Sequence, residues 1–220
     1  MSLTQDLDNF RAQARTVHIP ADKIALMDQA TQELVTAGTA QTSLNVGAQV
    51  PDFTLPNAVG APVQLSTLLA QGPVVISFYR GGWCPYCNLE LRALQQALPE
   101  IQALGASLVA ISPQTPDNSL STAEKNSLTF AVLSDSGNTV ARQFGLVFEL
   151  PSYLQEVYAG FGIDLPTSNG DGRWELPIAA TYVITPEGRV AYAFIDPDYT
   201  QRLDPADIVS ALKALPVTVA

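Results

Sequence analysis

Residues 73–87 read PVVISFYRGGWCPYC, and the change of texture inside this stretch decides the fold. Residues 73–79 are a continuous apolar, β-branched run, the pattern of a strand covered on both faces. The run stops at Arg80, Gly81 and Gly82. Beyond Cys84 and Cys87, the side chains Leu91, Leu94, Leu98 and Ile101 recur on one helical face, and Gly105 closes that segment. ASLVAIS at 106–112 then supplies a second buried strand. Strand, helix and strand in succession imply a right-handed parallel crossover, and therefore an α/β fold.

Working outward, a helix is expected from about 116 to 126, a strand in TFAVLS at 129–134 and a short helix at 139–144. Residues 147–176 break the rhythm, with one short helix near Leu154 and then a loop rich in Gly, Pro, Asn and Asp. Long loops inside a compact domain are often functional, and Trp174 is placed there as a lid over the site. ATYVIT and RVAYAFI flank Pro186, Glu187 and Gly188 as a hairpin, and a last helix opens with Asp204 as cap and Pro205 at its first position. Toward the N-terminus, the segment from Gly47 to the first buried strand alternates short stretches with Pro and Gly, as around hairpins. Residues 1–44 carry Phe10, Ile24, Met27, Leu34 and Val35 at helical spacing, interrupted at Pro20. They form an N-terminal helical extension to a domain over 45–220 with an insertion at about 147–176. The extension serves as packing surface, as a lid or as the contact of a homodimer, and the residues do not choose among these.

With 21 acidic against 11 basic residues in a chain of 220, the surface repels nucleic-acid phosphates and anionic lipid, since both need clustered Lys and Arg. The first twenty residues lack a basic start followed by an unbroken apolar core, so neither a secretory signal nor a membrane span is expected and the cytoplasm is the default location. In a reducing compartment a close cysteine pair is seldom a structural staple, which leaves redox chemistry or metal. The chain has two Cys and one His, His18, far off in the extension. A complete Cys/His zinc site within one chain is therefore impossible, and no bound metal or cofactor is expected.

Cys84 falls at the start of the expected helix, where free backbone N–H groups and the positive end of the helix dipole favour a thiolate. Lowering a thiol pKa by about 1.5 units from its reference of about 8.5 corresponds to roughly 2 kcal/mol. Arg80 on the same turn is a second candidate contributor, set against a simply solvated arginine. One helical turn on, Cys87 lies on the same side and its sulfur can reach Cys84. Pro85 presets helical φ between them. Cys84 then attacks an electrophilic sulfur or a peroxide oxygen, and Cys87 displaces the product. Trp83 and Tyr86 flank the thiol, either lining a substrate groove or packing. Asp196 and Asp198, with Pro197 between them, read as turn formers.

From Gly47 to about Leu215 the chain resembles the alkyl hydroperoxide reductase/thiol-specific antioxidant family, the peroxiredoxin-like branch of the thioredoxin fold. The carriers are VGAQVPDFTL, SFYRGGWCPYCN, ATYVITPEGRV and FIDPDYTQRLDP. The resemblance implies a thioredoxin-like central mixed sheet flanked by helices, reduction of peroxides or disulfides, and re-reduction by thioredoxin, glutathione or a similar thiol. Two departures accompany it. The family's threonine or serine three residues before the attacking cysteine is here Gly81, and its arginine near the later hairpin strand is here Ala179. Ala179 also fills the slot where thioredoxin-like proteins place a cis-proline; Pro177 meets that role only with a register shift of two, and otherwise reads as a strand-edge proline.

These readings converge on an antioxidant oxidoreductase cycling between a Cys84/Cys87 dithiol and its disulfide. The competing reading is a redox-sensing or metal-bridging interaction protein with slow or no turnover.

Overall fold

The computed structural model describes residues 2–216. Two helices lead: α1 (Leu3–Gln13), a π-helical turn at Ala14–His18, and α2 (Ala21–Thr36) after Pro20. Ser2 opens α1 with a capping box shared with Gln5. A hairpin of β1 (Thr54–Pro56) and β2 (Pro62–Gln64) leads through α3 (Leu65–Leu69) into β3 (Val74–Phe78). Then follow α4 (Pro85–Ala103), β4 (Ser107–Ser112), α5 (Pro116–Lys125), β5 (Ala131–Ser134) and α6 (Thr139–Gln143). The chain closes with β6 (Val147–Glu149), α7 (Ser152–Gly160), α8 (Leu165–Asn169), β7 (Glu175–Pro177), β8 (Ala180–Ile184), β9 (Val190–Ile195) and α9 (Pro205–Lys213).

The central sheet has five strands in the order β5-β4-β3-β8-β9. β3 runs parallel to β4 and antiparallel to β8, so the sheet is mixed as expected. β3 lies in the middle with both faces covered, the physical reason for its unbroken apolar run. Its side chains alternate: Val75 faces the core built with Leu91, Leu94 and Ile101 of α4 and Ile208 of α9, while Val74, Ile76 and Phe78 face Leu65, Phe144 and Tyr182. Each fully buried aliphatic chain of this kind stabilises by roughly 1.5–3 kcal/mol. The helical face of α4 continues past Pro99, because burial of Leu94, Leu98 and Ile101 holds the last turn in place.

In residues 147–176 the short helix expected near Leu154 is α7, but the rest differs from the loop expected for it. β6 and β7 pair antiparallel and close the segment at its base, with Val147 opposite Pro177 and Phe148 opposite Leu176. The two short helices α7 and α8 fold over a small core of Leu150, Leu154, Val157, Tyr158, Leu165 and Leu176. Trp174 packs on this core, contrary to its expected place as a lid. The many Gly and Asn residues that suggested irregular chain serve as helix ends, Gly170 with φ 70° closing α8.

The extension packs onto the domain. Leu3 and Leu7 of α1 join the cluster that contains Tyr86 and both cysteines, and the Phe10 and Tyr86 rings meet edge to face at 5.0 Å. Arg15 clamps Asp28 through two hydrogen bonds, tying the turn after α1 to α2. The Tyr153 hydroxyl donates to Glu33 at 2.7 Å, tying α2 to α7. His18 is exposed on the π-helical turn.

Candidate active site

Cys84 is the N-cap of α4, with Pro85 at the first helical position and Cys87 one turn in. Both cysteines are unbridged and buried, Cys84 with only 2% of its surface exposed. The strand β3 delivers the chain to this point, and the Gly81–Gly82 turn swings it into the helix. Gly81 has φ +150°, and a Cβ there would stand 2.3 Å from the Trp83 ring nitrogen. A Cβ on Gly82 would stand 2.2 Å from the Thr122 hydroxyl. The turn is held by side chains: the Gly82 N–H donates to Gln114 Oε1 at 2.8 Å, and Asn88 Nδ2 donates to the carbonyls of Gly82 and Cys84 at 2.8 and 3.0 Å. The position where a hydroxyl was missing from the sequence is thus one where no side chain fits without displacing Trp83.

Arg80 is buried, with 3% exposure, and not the solvated arginine set against the partner role. Its guanidinium sits in an aromatic box, with its carbon 4.4 Å from the Tyr199 ring centre, 5.2 Å from Trp83 and 5.6 Å from Tyr158. Nη2 donates to the Tyr158 hydroxyl, and Nε has no hydrogen-bond partner among the described residues. A second buried arginine, Arg202, also reaches the thiols. Its Nε donates to Glu90 Oε2 at 2.6 Å, its Nη1 to the Tyr199 and Gln201 carbonyls, each at 2.6 Å, and its Nη2 to Cys87 Sγ at 3.3 Å. Glu90 Oε1 also accepts from the Ser77 hydroxyl at 3.2 Å.

These neighbours separate the two thiols. Burial alone would push Cys84 up, but the hydrogen bond from the Cys87 thiol, the charges of Arg80 and Arg202 and the Cys87 backbone N–H outweigh it and bring Cys84 down to about 6. Burial and the adjacent Cys84 sulfur hold Cys87 well above the ordinary thiol range. Burial pushes Glu90 up to about 7 against the pull of Arg202. The site therefore presents one thiolate beside one thiol, the division of labour an attacking and a resolving sulfur require.

A cavity of about 490 Å³ opens beside Arg80. Its walls include Met27, Ala30 and Leu34 of α2, Leu154 and Tyr158 of α7, and Pro177 to Ala179 at the entry to β8.

Of the residues expected from the sequence, Cys84, Cys87, Arg80, Gly81, Trp83, Pro85 and Tyr86 come together around the sulfurs. Tyr86 packs between Phe10 and Tyr199, and Trp83 against Tyr158. Pro177 does not take the cis-proline part: every peptide bond among the described residues is trans, and Pro177 ends β7 and lines the cavity. Asp196 and Asp198 form turns, accepting from the backbone N–H groups of Asp198 and Thr200, as read. Sequence reasoning missed Glu90, Arg202, Tyr158 and Tyr199. Glu90 carried a signal, being a carboxylate among the buried positions of an amphipathic helix.

The AhpC/TSA family model matches residues 46–193. Peroxiredoxin Bcp of Escherichia coli K12 is 32% identical over 117 residues, spanning 53% of this chain and 74% of that protein. The chloroplastic peroxiredoxin Q of Triticum aestivum is 29% identical over 175 residues, 80% of this chain and 70% of that protein. Among solved structures, peroxidoxin BcpB from Mycobacterium tuberculosis superposes with a TM-score of 0.63 at 27% identity, covering 79% of this chain and 99% of that one. A mutant of Xylella fastidiosa PrxQ superposes at 0.62 with 18% identity, covering 79% and 98%, and shows the shared fold. The match spans the strand, the glycine turn and the cysteine-bearing helix from which the site is built, and the chain belongs to the AhpC/TSA family of thiol-dependent oxidoreductases.

Proposed function

We propose that the protein is a thiol peroxidase in which Cys84 attacks the peroxide and Cys87 resolves. The observation that carries this reading is the buried Cys84 thiol at a helix N-terminus, held down by Cys87 and two buried arginines. The Cys84 thiolate takes the near oxygen of the peroxide, becoming a sulfenic acid, and the far oxygen leaves as an alcohol or water after gaining a proton. Cys87 then attacks the Cys84 sulfur and expels water, closing the disulfide. A thiol donor of the thioredoxin or glutathione class reopens it, which suits a reducing compartment such as the cytoplasm; no helix among the described residues is long and apolar enough to cross a membrane.

In place of the family's hydroxyl at position 81, Arg80 and Tyr158 provide the donors. Tyr158 accepts from Arg80, which leaves its own proton to give, and both residues line the cavity. The peroxide approaches through that cavity with its body against α2 and α7. The extension over residues 1–44 acts as a cover, since α1 shares the cluster that buries Cys84. Burial of Cys84 favours a small peroxide over a protein disulfide, and family membership favours turnover over the sensing or metal-bridging reading.

The test is the rate at which reduced Cys87→Ser protein forms a sulfenic acid at Cys84 with hydrogen peroxide, trapped and read by mass spectrometry against a small free thiol. A rate several orders of magnitude above that of the free thiol supports the peroxidase; a rate equal to it overturns the assignment.

A further inference from the structure

The Arg202 guanidinium is a three-pronged buried contact. One edge is fixed to Glu90 at 2.6 Å, one nitrogen is fixed to two carbonyls of its own loop, and the remaining nitrogen reaches Cys87 Sγ at 3.3 Å. The side chains of Arg202 and Glu90 are 2% and 1% exposed. A buried ion pair contributes little net stability relative to an apolar pair of similar volume, because both charges lose their water. Packing alone therefore does not explain why a charge is brought to this sulfur. The titratable and charged groups that act on Cys87 are Cys84, Arg202, Arg80, Glu90, Tyr79 and Tyr158. Arg202 is the one that donates a hydrogen bond to it from a fixed cation.

We propose that Arg202 is a catalytic residue of the regeneration step, stabilising the Cys87 sulfur as it leaves the disulfide, and that Glu90 is the positioning residue that aims it. The proposal rests on the reading that Cys87 resolves. In the step itself a donor thiolate attacks Cys84 Sγ, a donor–Cys84 disulfide forms, and the Cys84–Cys87 bond breaks with its electron pair remaining on Cys87 Sγ. A second donor thiol then releases Cys84 as thiolate and departs as the donor's own disulfide. The rate of the first exchange rises as the leaving thiol becomes a weaker base, and a cation held against Cys87 makes it one. The Arg202 charge also favours the Cys84 thiolate of the reduced pair, so it raises the reduction potential.

The experiment equilibrates full-length protein with glutathione redox buffers and reads the disulfide fraction by alkylation and mass spectrometry, alongside the rate of opening by dithiothreitol. R202M should lower the equilibrium constant for reduction at least tenfold, about 30 mV toward more negative potential, and slow opening by a similar factor. E90Q should shift both in the same direction by less, and R202K, which keeps the charge, should recover part of the loss. Should R202M fail to fold with Glu90 left unpaired, the double variant R202M/E90Q removes both charges and should shift in the same direction by less, since Glu90 no longer repels the Cys87 sulfur. An unchanged potential and opening rate in a folded R202M or R202M/E90Q protein overturns the proposal while leaving the Cys84/Cys87 cycle intact. If the wild type forms no Cys84–Cys87 disulfide, the resolving role of Cys87 fails and the proposal fails with it.

Discussion

The Arg80 guanidinium carbon lies 4.4 Å from the centre of the Tyr199 ring, with Trp83 and Tyr158 on its other sides. A cation in this box has little water around it, so its charge acts strongly on the neighbouring Cys84 thiol. Replacing Arg80 by Met removes that charge and the donor proposed for the peroxide. The rate of Cys84 with hydrogen peroxide at neutral pH should fall by about 10²-fold, the usual cost of losing one fixed donor. Stopped-flow kinetics measure it, and thiolate absorbance should show the Cys84 pKa moving up. Tyr158→Phe keeps the box and the arginine charge, so it should slow the rate while leaving the thiolate titration nearly unchanged.

The two buried acids of the site give the reduced protein a stability profile with opposing limbs. Glu90 titrates at about 7 when folded, against about 4.3 when unfolded, so the native state holds the extra proton. Its contribution is fully present at low pH and is lost as pH rises from about 4.3 through about 7. Cys84 titrates at about 6 when folded, against about 8.5 when unfolded, so stability from this group grows over that interval and is lost as pH falls. Denaturant unfolding of Glu90→Gln across this range should lack the first limb and keep the second. Retention of the first limb in that variant would count against a raised Glu90. The peroxide rate should itself fall about tenfold per unit of pH well below the Cys84 pKa.

Restoring the family's hydroxyl should not help this site. Gly81→Thr places a β-branched side chain at φ +150° and drives its Cβ to within 2.3 Å of the Trp83 ring. The cost should be about 2 kcal/mol or more, read as a lowered urea midpoint, with no gain in peroxide rate.

Leu7 of α1 is 4% exposed and shares a cluster with Tyr86 and Cys84. Leu7→Ala should cost about 2–4 kcal/mol if α1 stays docked as an integral part of the core, and should raise the rate of Cys84 alkylation by iodoacetamide. Equal alkylation rates in the two proteins would show that α1 is not the cover.

The sheet was readable because its signals are local. Val74 to Phe78 declare a doubly covered strand by composition, and the helix after Cys84 declares its face by spacing. The segment at 147–176 was not readable in the same way: β6 and β7 are three residues each and gain their pairing only when the chain between them folds back. The hairpin strands β8 and β9 were legible around Pro186 to Gly188, whereas Pro177, read as an edge of the hairpin strand, ends the separate strand β7, in register with Val147.

By itself the sequence determined where a thiolate could form: two cysteines one turn apart, the first at the mouth of a helix that follows a buried strand. Each of those features depends on residues within a few positions of one another. What only the tertiary structure decided is which charges meet the sulfurs. Arg80 points into an aromatic box closed by Tyr158 and Tyr199, and Arg202 reaches Cys87 from 115 positions away. A local pattern records the period of a strand or helix, but the electrostatics of a buried thiol are set by side chains that packing brings within a few ångströms, and sequence separation carries no record of that distance.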